Sequence, residues 1–223
     1  MEAPKAKQVP HHTTVHGRTL VDNYHWLRER DDPDTIAYLE AENQYCASML
    51  ADTVQLQDEL YYEMRARIKE DDESVPVQKG DYFYYTKTLH GCEYPVYCRK
   101  HGSLEATEEV ILDVNELAAS NAHCAIGAFS VSPNHGYLAY SVDVTGDECY
   151  TTYVKDLRTG AVLADEIENT LTEIVWLNDS LRFVYLLRSA TDLRPVAVQL
   201  HRVGSREDVV LYEETDARYY MDL

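Results

Sequence analysis

Residues 129–142 read FSVSPNHGYLAYSV, and residues 173–187 read EIVWLNDSLRFVYLL. Each is a short β-prone run, a polar turn, and a second run rich in aromatic and branched side chains. Val131 and Val175 stand 44 residues apart, and Tyr140 and Tyr185 stand 45 apart. The order of elements recurs along with the spacing. A period of ~40–50 residues built from four short strands is the pattern of propeller blades. A single antiparallel sandwich with coincidental spacing is the alternative.

The pattern extends both ways from this pair. Residues 82–86 (YFYYT), 94–98 (YPVYC) and 109–113 (EVILD) read as strands punctuated by Gly91 and Gly102. Residues 150–157 (YTTYVKDL) follow Gly146-Asp147 and turn at Arg158-Thr159-Gly160. Residues 196–201 (VAVQLH) and 208–212 (DVVLY) complete the third group. At this period residues 77–223 hold about three units, whereas a closed propeller has at least ~4. Residues 217–223 (ARYYMDL) read as the start of another strand, so the pattern stops partway.

Upstream the period changes. Residues 1–20 contain Pro4, Pro10 and no sustained apolar period, which predicts an extended arm. Asp32-Pro33-Asp34 is a helix start, with Asp32 placed to cap and Pro33 suited to the first helical position. Ile36, Leu39, Cys46 and Leu50 fall near one helical face, which Asn43 interrupts. Asp52 or Thr53 is placed to cap a second helix, whose Leu56, Leu60, Met64 and Ile68 step by four and which should end near Lys69. The two helices can form a hairpin, but two amphipathic helices bury little, so they are expected to dock on something larger. The expected organisation is an arm and helical hairpin over residues 1–76 and an incomplete propeller over 77–223. The fold class is mainly β with an N-terminal helical segment.

Net charge is −19, from 20 basic and 39 acidic residues. Such a chain repels nucleic acid and anionic membranes; its acidity reads as solubility, or as a field that attracts cationic ligands such as basic peptides. Five cysteines, scattered and without a C-x-x-C pair, argue against a disulfide framework or zinc knuckle. The N-terminus lacks the apolar region of a secretory signal, and no segment approaches ~18 consecutive apolar residues. The expected protein is soluble and cytoplasmic.

Eight stretches, in order, resemble the N-terminal part of oligopeptidase B, a branch of the prolyl oligopeptidase serine peptidases. They are DNYHWLR (22–28), YLEAEN (38–43), EMRARIKEDDESVP (63–76), YPVYCRK (94–100), SVSPNHGYLAYSVD (130–143), YVKDLRTG (153–160), LHRVG (200–204) and VLYEE (210–214). The resemblance implies a seven-bladed propeller beside an α/β-hydrolase catalytic domain. It also implies that the N-terminal helical segment wraps that catalytic domain. The implied activity is hydrolysis of short peptides after Arg or Lys, with the propeller limiting access by size. No metal or organic cofactor is implied.

The family's nucleophile sits on a G-x-S-x-G turn, and none of the nine glycines here begins that pattern. The family triad lies beyond the residues that match, so no catalytic, cofactor-binding or metal-binding residue is assigned. His11, His12 and His16 belong to the expected arm, and no histidine has H-E-x-x-H spacing. The acid run at 70–73 reads as a solvated linker, or as a patch that aligns domains or attracts basic peptides. The chain alone is expected to be inactive. A stand-alone interaction module is the alternative. Unpaired sheet edges and the unpartnered helix stripe would then favour self-association, or capture of a partner such as a catalytic domain. A weaker third idea is regulation of a full-length paralogue by mixing with its domains.

Overall fold

The computed structural model describes residues 2–189, 191 and 193–223. It divides into two compact units at Lys69/Glu70. Backbone pairing of the second unit begins at Asp72, a few residues before the expected boundary at 76.

The first unit opens with a hairpin where an extended arm was expected. Strands β1 (His11–Val15) and β2 (Arg18–Asp22) pair antiparallel, His11 opposite Asp22 and Val15 opposite Arg18. The loop is two residues, His16 and Gly17, both with positive φ (49° and 75°), the geometry whose twist matches paired strands. Every residue of both strands is exposed, so no buried face imposed an apolar alternation that the sequence could display.

A 3-10 turn (His25–Arg28) leads to α1 (Pro33–Met49). As expected, Asp32 caps α1 by accepting from the Asp34 amide, and Pro33 takes the first turn. The preceding segment is pinned there. Lys7 pairs with Asp34 and lies over the Trp26 ring at 4.8 Å, while Trp26 Nε1 donates to the Lys7 carbonyl at 2.9 Å.

Helix α2 (Val54–Ala66) follows a short 3-10 turn at Ala51–Thr53. Thr53 stands at its N-cap position, yet its hydroxyl donates backward to the Leu50 carbonyl and caps nothing. The helix ends at Ala66, short of Lys69. No residue of α2 is buried, and Leu56, Leu60, Met64 and Ile68 are 46–67% exposed. Ile36, Leu39 and Leu50 are also exposed. The two apolar stripes therefore do not bury one another as a hairpin core would.

The second unit is antiparallel throughout. Its first sheet holds β3 (Asp72–Glu73), β4 (Val77–Lys79), β5 (Tyr82–Thr88), β6 (Val96–His101) and β7 (Glu108–Asp113). Strands β3 and β4 both pair with β5, and β6 and β7 follow in order. A short helix α3 (Val114–Ala118), capped by Asp113, closes that sheet.

The second sheet runs in sequence order through β8 (Ala125–Val131), β9 (Tyr137–Asp143), β10 (Tyr150–Asp156), β11 (Val162–Trp176), β12 (Arg182–Arg188), β13 (Pro195–Arg202) and β14 (Val209–Glu213). Strand β11 serves two groups. Its first part pairs with β10 from Val162 to Thr170, and its last part pairs with β12 from Thr170 to Trp176, with a register shift between Thr170 and Ile174. It is thus the last strand of one four-stranded blade and the first of the next, which accounts for the 44–45-residue offset. The architecture is mainly β with an N-terminal helical segment, and its second unit is a partial propeller of about three blades.

The core lies between blades. Ile111, Leu112 and Val114 of the first blade pack with Val131, Leu138, Tyr140 and Val142 of the second. Ala128, Ala139 and Val154 of the second pack with Ile174, Phe183 and Tyr185 of the third. Along β9 every residue from Leu138 to Asp143 is buried, as expected for a strand covered on both faces.

Candidate functional site

Two constellations stand out, and both are built on the turns and edges of blades. The first is the turn between β8 and β9. Ser132 Oγ accepts from the Tyr137 amide at 2.9 Å, and Asn134 Oδ1 accepts from the Gly136 amide at 2.9 Å. His135 sits at φ 58°, a left-handed conformation in which His is enriched over most side chains.

Both neighbouring blades grip this turn. From the first blade, Arg99 Nη1 donates to the His135 carbonyl at 2.7 Å, and the Tyr84 hydroxyl lies 2.8 Å from His135 Nδ1. Arg99 is buried, is paired through Nε with Glu109 at 2.8 Å, and lies 4.3 Å over the Tyr82 ring. From the third blade, Ser180 Oγ accepts from the Asn134 amide at 3.0 Å, and Trp176 Nε1 donates to the Ser130 carbonyl at 2.9 Å. Burial, then Lys79 and Arg99, hold the His135 imidazole below the ordinary histidine range.

The second constellation is a buried histidine in the third blade. His201 Nε2 lies 2.8 Å from Asp165 Oδ1, and Nδ1 lies 2.6 Å from Asp208 Oδ1. Asp208 Oδ2 accepts from the Tyr185 hydroxyl at 2.6 Å, and Asp165 Oδ1 also accepts from the Gly204 amide at 2.5 Å. Tyr185 has one proton to donate, and it points at Asp208. Gln199, 2.9 Å from the same hydroxyl, fits with its amide nitrogen turned inward.

A cavity of about 430 Å³ opens beside this cluster, lined by Asp165, Glu166, Glu168, His201, Arg206 and Asp208 among others. The lining favours a cationic group, but Asp165 Oδ2, the one buried lining oxygen without a partner among the described residues, is closed off from solvent. Both ring nitrogens of His201 face carboxylates, so neither is free to take a proton from a hydroxyl nucleophile. Ser205, on the same cavity wall, donates to the Glu207 carbonyl within its own turn. This is a structural network and not a catalytic triad.

The other residues weighed in the sequence are scattered. His11 and His25 stack at 3.7 Å in the first unit. Among the described residues no group of three or more His, Cys, Asp or Glu is arranged to hold a metal. Cys98 and Cys124 are buried, and burial pushes the Cys98 thiol up to about 11, the opposite of an activated thiolate. The acid run at 70–73 is not simply solvated. Glu70 pairs with His90 at 2.7 Å, and Asp71 accepts from the His90 amide at 2.7 Å, so both hold the tip of the β5–β6 hairpin. No helix among the described residues is long and apolar enough to cross a membrane.

The His201 cluster was not legible in the sequence, because Asp165 lies 36 residues from His201 on the acidic first half of β11. The turn at 133–136 was legible, although its role in joining three blades was not.

Sequential antiparallel blades sharing a strand, preceded by a helical unit, define a β-propeller domain with a helical lead. The chain belongs to the prolyl oligopeptidase family: residues 4–223 match the family described as prolyl oligopeptidase, N-terminal beta-propeller domain. It is 34% identical to Protease 2 of Moraxella lacunata, over 97% of this chain and 32% of that protein. It is also 34% identical to dipeptidyl aminopeptidase BI of Pseudoxanthomonas mexicana, over 99% of this chain and 33% of that protein. Oligopeptidase B from Leishmania major superposes with a TM-score of 0.88 at 36% identity, covering 96% of this chain and 33% of that one. The resemblance drawn from the ordered motifs therefore holds along nearly the whole chain. The chain spans about a third of the length of these relatives.

Proposed function

We propose that these residues are the N-terminal, non-catalytic region of an oligopeptidase B-like serine peptidase. One observation carries the reading: nearly all of this chain aligns with about one third of oligopeptidase B and Protease 2. In this reading residues 1–76 wrap an α/β-hydrolase catalytic domain, and residues 77–223 contribute blades to the propeller. The completed enzyme hydrolyses short cytoplasmic peptides after Arg or Lys. The exposed stripe of α2 supports a missing apolar partner. The net charge of −19 supports attraction of basic peptides.

The test is turnover of Arg- and Lys-containing peptide reporters by the pure 223-residue chain. No turnover is expected. Robust cleavage, abolished by a serine-directed reagent, would overturn the reading.

A second reading, a stand-alone interaction module, is favoured by β14, whose five residues are all exposed. An uncovered apolar edge strand pairs readily with another chain. Size-exclusion chromatography with light scattering separates the two: a self-associated species supports the module, and a compact monomer counts against it.

A further inference from the structure

The acidic cavity beside His201 has a use beyond the network that walls it. Strand β11 lends it Asp165, Glu166 and Glu168, and the connection from β13 to β14 lends it Arg206 and Asp208. Its volume of about 430 Å³ lies within the range of ligand pockets. We propose that it binds a peptide ending in Arg or Lys. The cationic side chain lies among the carboxylates, and the terminal carboxylate pairs with Arg206.

Two observations point to such a ligand. The first is Asp165, whose side chain keeps 1% of its surface. Its Oδ1 takes both the His201 and the Gly204 contact. Its Oδ2 has no partner and no surface open to water, so neither protein nor solvent compensates it. A buried carboxylate oxygen in that state is costly. Direct contact is not needed to answer it. Attraction across a low-dielectric wall is strong, so a cation in the adjoining cavity is held by the same charge.

The second observation is Arg206. It is exposed and makes no hydrogen bond or ion pair among the described residues, although it shares the lining with four carboxylates. Its planar fork is therefore open to an incoming carboxylate. Acids and an unpaired guanidinium in one cavity select a ligand that carries both charges. A basic residue at a peptide C-terminus holds its cation and its carboxylate one side chain apart. An acidic peptide would be repelled by the carboxylates, and a simple cation would leave Arg206 unused.

Other polar groups of the wall are committed. His201 faces its two carboxylates, the Ser205 hydroxyl donates to the Glu207 carbonyl, and Glu166 Oε1 accepts from the Tyr153 hydroxyl at 3.2 Å. Glu168, exposed on the same strand, is the carboxylate assigned to the incoming cation.

The experiment is titration of the full 223-residue chain with acetyl-Gly-Arg, followed by amide NMR. Saturable shifts are expected within residues 164–168 and 201–208. Acetyl-Gly-Arg amide lacks the carboxylate, and acetyl-Gly-citrulline lacks the charge. Each should bind about tenfold more weakly. Arg206→Ala should weaken the free acid to the level of the amide and leave the amide unchanged. Glu168→Gln should weaken the arginine peptide and leave the citrulline peptide unchanged. Both positions are exposed, so neither change should disturb the fold. No saturable shift up to about 10 mM, or shifts confined to other residues, overturns the site. Equal affinity for acid and amide, or no effect of either variant, overturns it as well.

Discussion

Strands β9 and β14 have similar sequences and opposite fates. YLAYSVD and VVLYE are both branched and aromatic, yet from Leu138 to Asp143 β9 is wholly buried while β14 is exposed along its length. The difference lies in neighbours and not in propensity. Strand β9 has a blade on each face, with its adjoining turn held by Arg99 from one side and Ser180 from the other. Among the described residues, strand β14 has a sheet partner only in β13. β-propensity describes a strand that fits a covered surface, and the cover has to be supplied by something else.

The largest expected effect tests that contrast directly. Leu138→Ala, at a position with no exposed surface, should cost about 2–5 kcal/mol by urea denaturation. Leu211→Ala in β14, 52% exposed, should change stability by no more than about 0.5 kcal/mol. Similar losses at the two sites would mean that β14 is covered in solution.

Next comes the grip on the 133–136 turn. Arg99→Ala removes a charge-assisted bond to the His135 carbonyl and the Glu109 pair. It should cost about 2–3 kcal/mol. Glycines refine the same point. Gly80 and Gly160 both have positive φ (60° and 77°), so alanine at either is strained by about 1–2 kcal/mol. Only at Gly80 would the new Cβ strike the His135 ring, whereas Gly160 faces open space. Gly80→Ala should therefore be worse than Gly160→Ala by about 1–3 kcal/mol in paired denaturation curves. Equal losses would show that the turn does not press on the first blade.

The buried tyrosines extend the contrast to alkaline pH. Burial pushes the Tyr140 hydroxyl up to about 12. Because the folded state holds Tyr140 protonated, its contribution is full below the ordinary value of about 10 and is lost as pH rises through about 12. Absorbance of ionised tyrosine, followed together with circular dichroism, should show late ionisation coinciding with unfolding.

What the sequence made legible follows the same division. The strands of the covered blades announced themselves through aromatic and branched runs, and Asp32-Pro33 marked the start of α1. The first half of β11, VLADEIENT, did not. Its acidic and small polar residues have little strand preference, and its extended form is set by pairing with β10. Consequently Asp165, and with it the His201 cluster, was invisible before the fold was known. The hairpin at His11–Asp22 was missed for the converse reason: with both faces exposed, no apolar period records it.

The smallest effect on the chain itself is expected at α2, where the comparison carries over to the first unit. Met64 lies on the exposed stripe with Leu56, Leu60 and Ile68, so Met64→Glu should shift the chain's own stability by no more than about 0.5 kcal/mol. If the stripe seats a catalytic domain, the same change puts a charge into an apolar contact. Reconstitution with a separately expressed α/β-hydrolase domain of the family should then fail for the variant and succeed for the parent chain. A stability loss in the isolated variant would mean that the stripe already has a partner within the chain. Equal reconstitution would leave β14 and its blade as the surface that needs a neighbour.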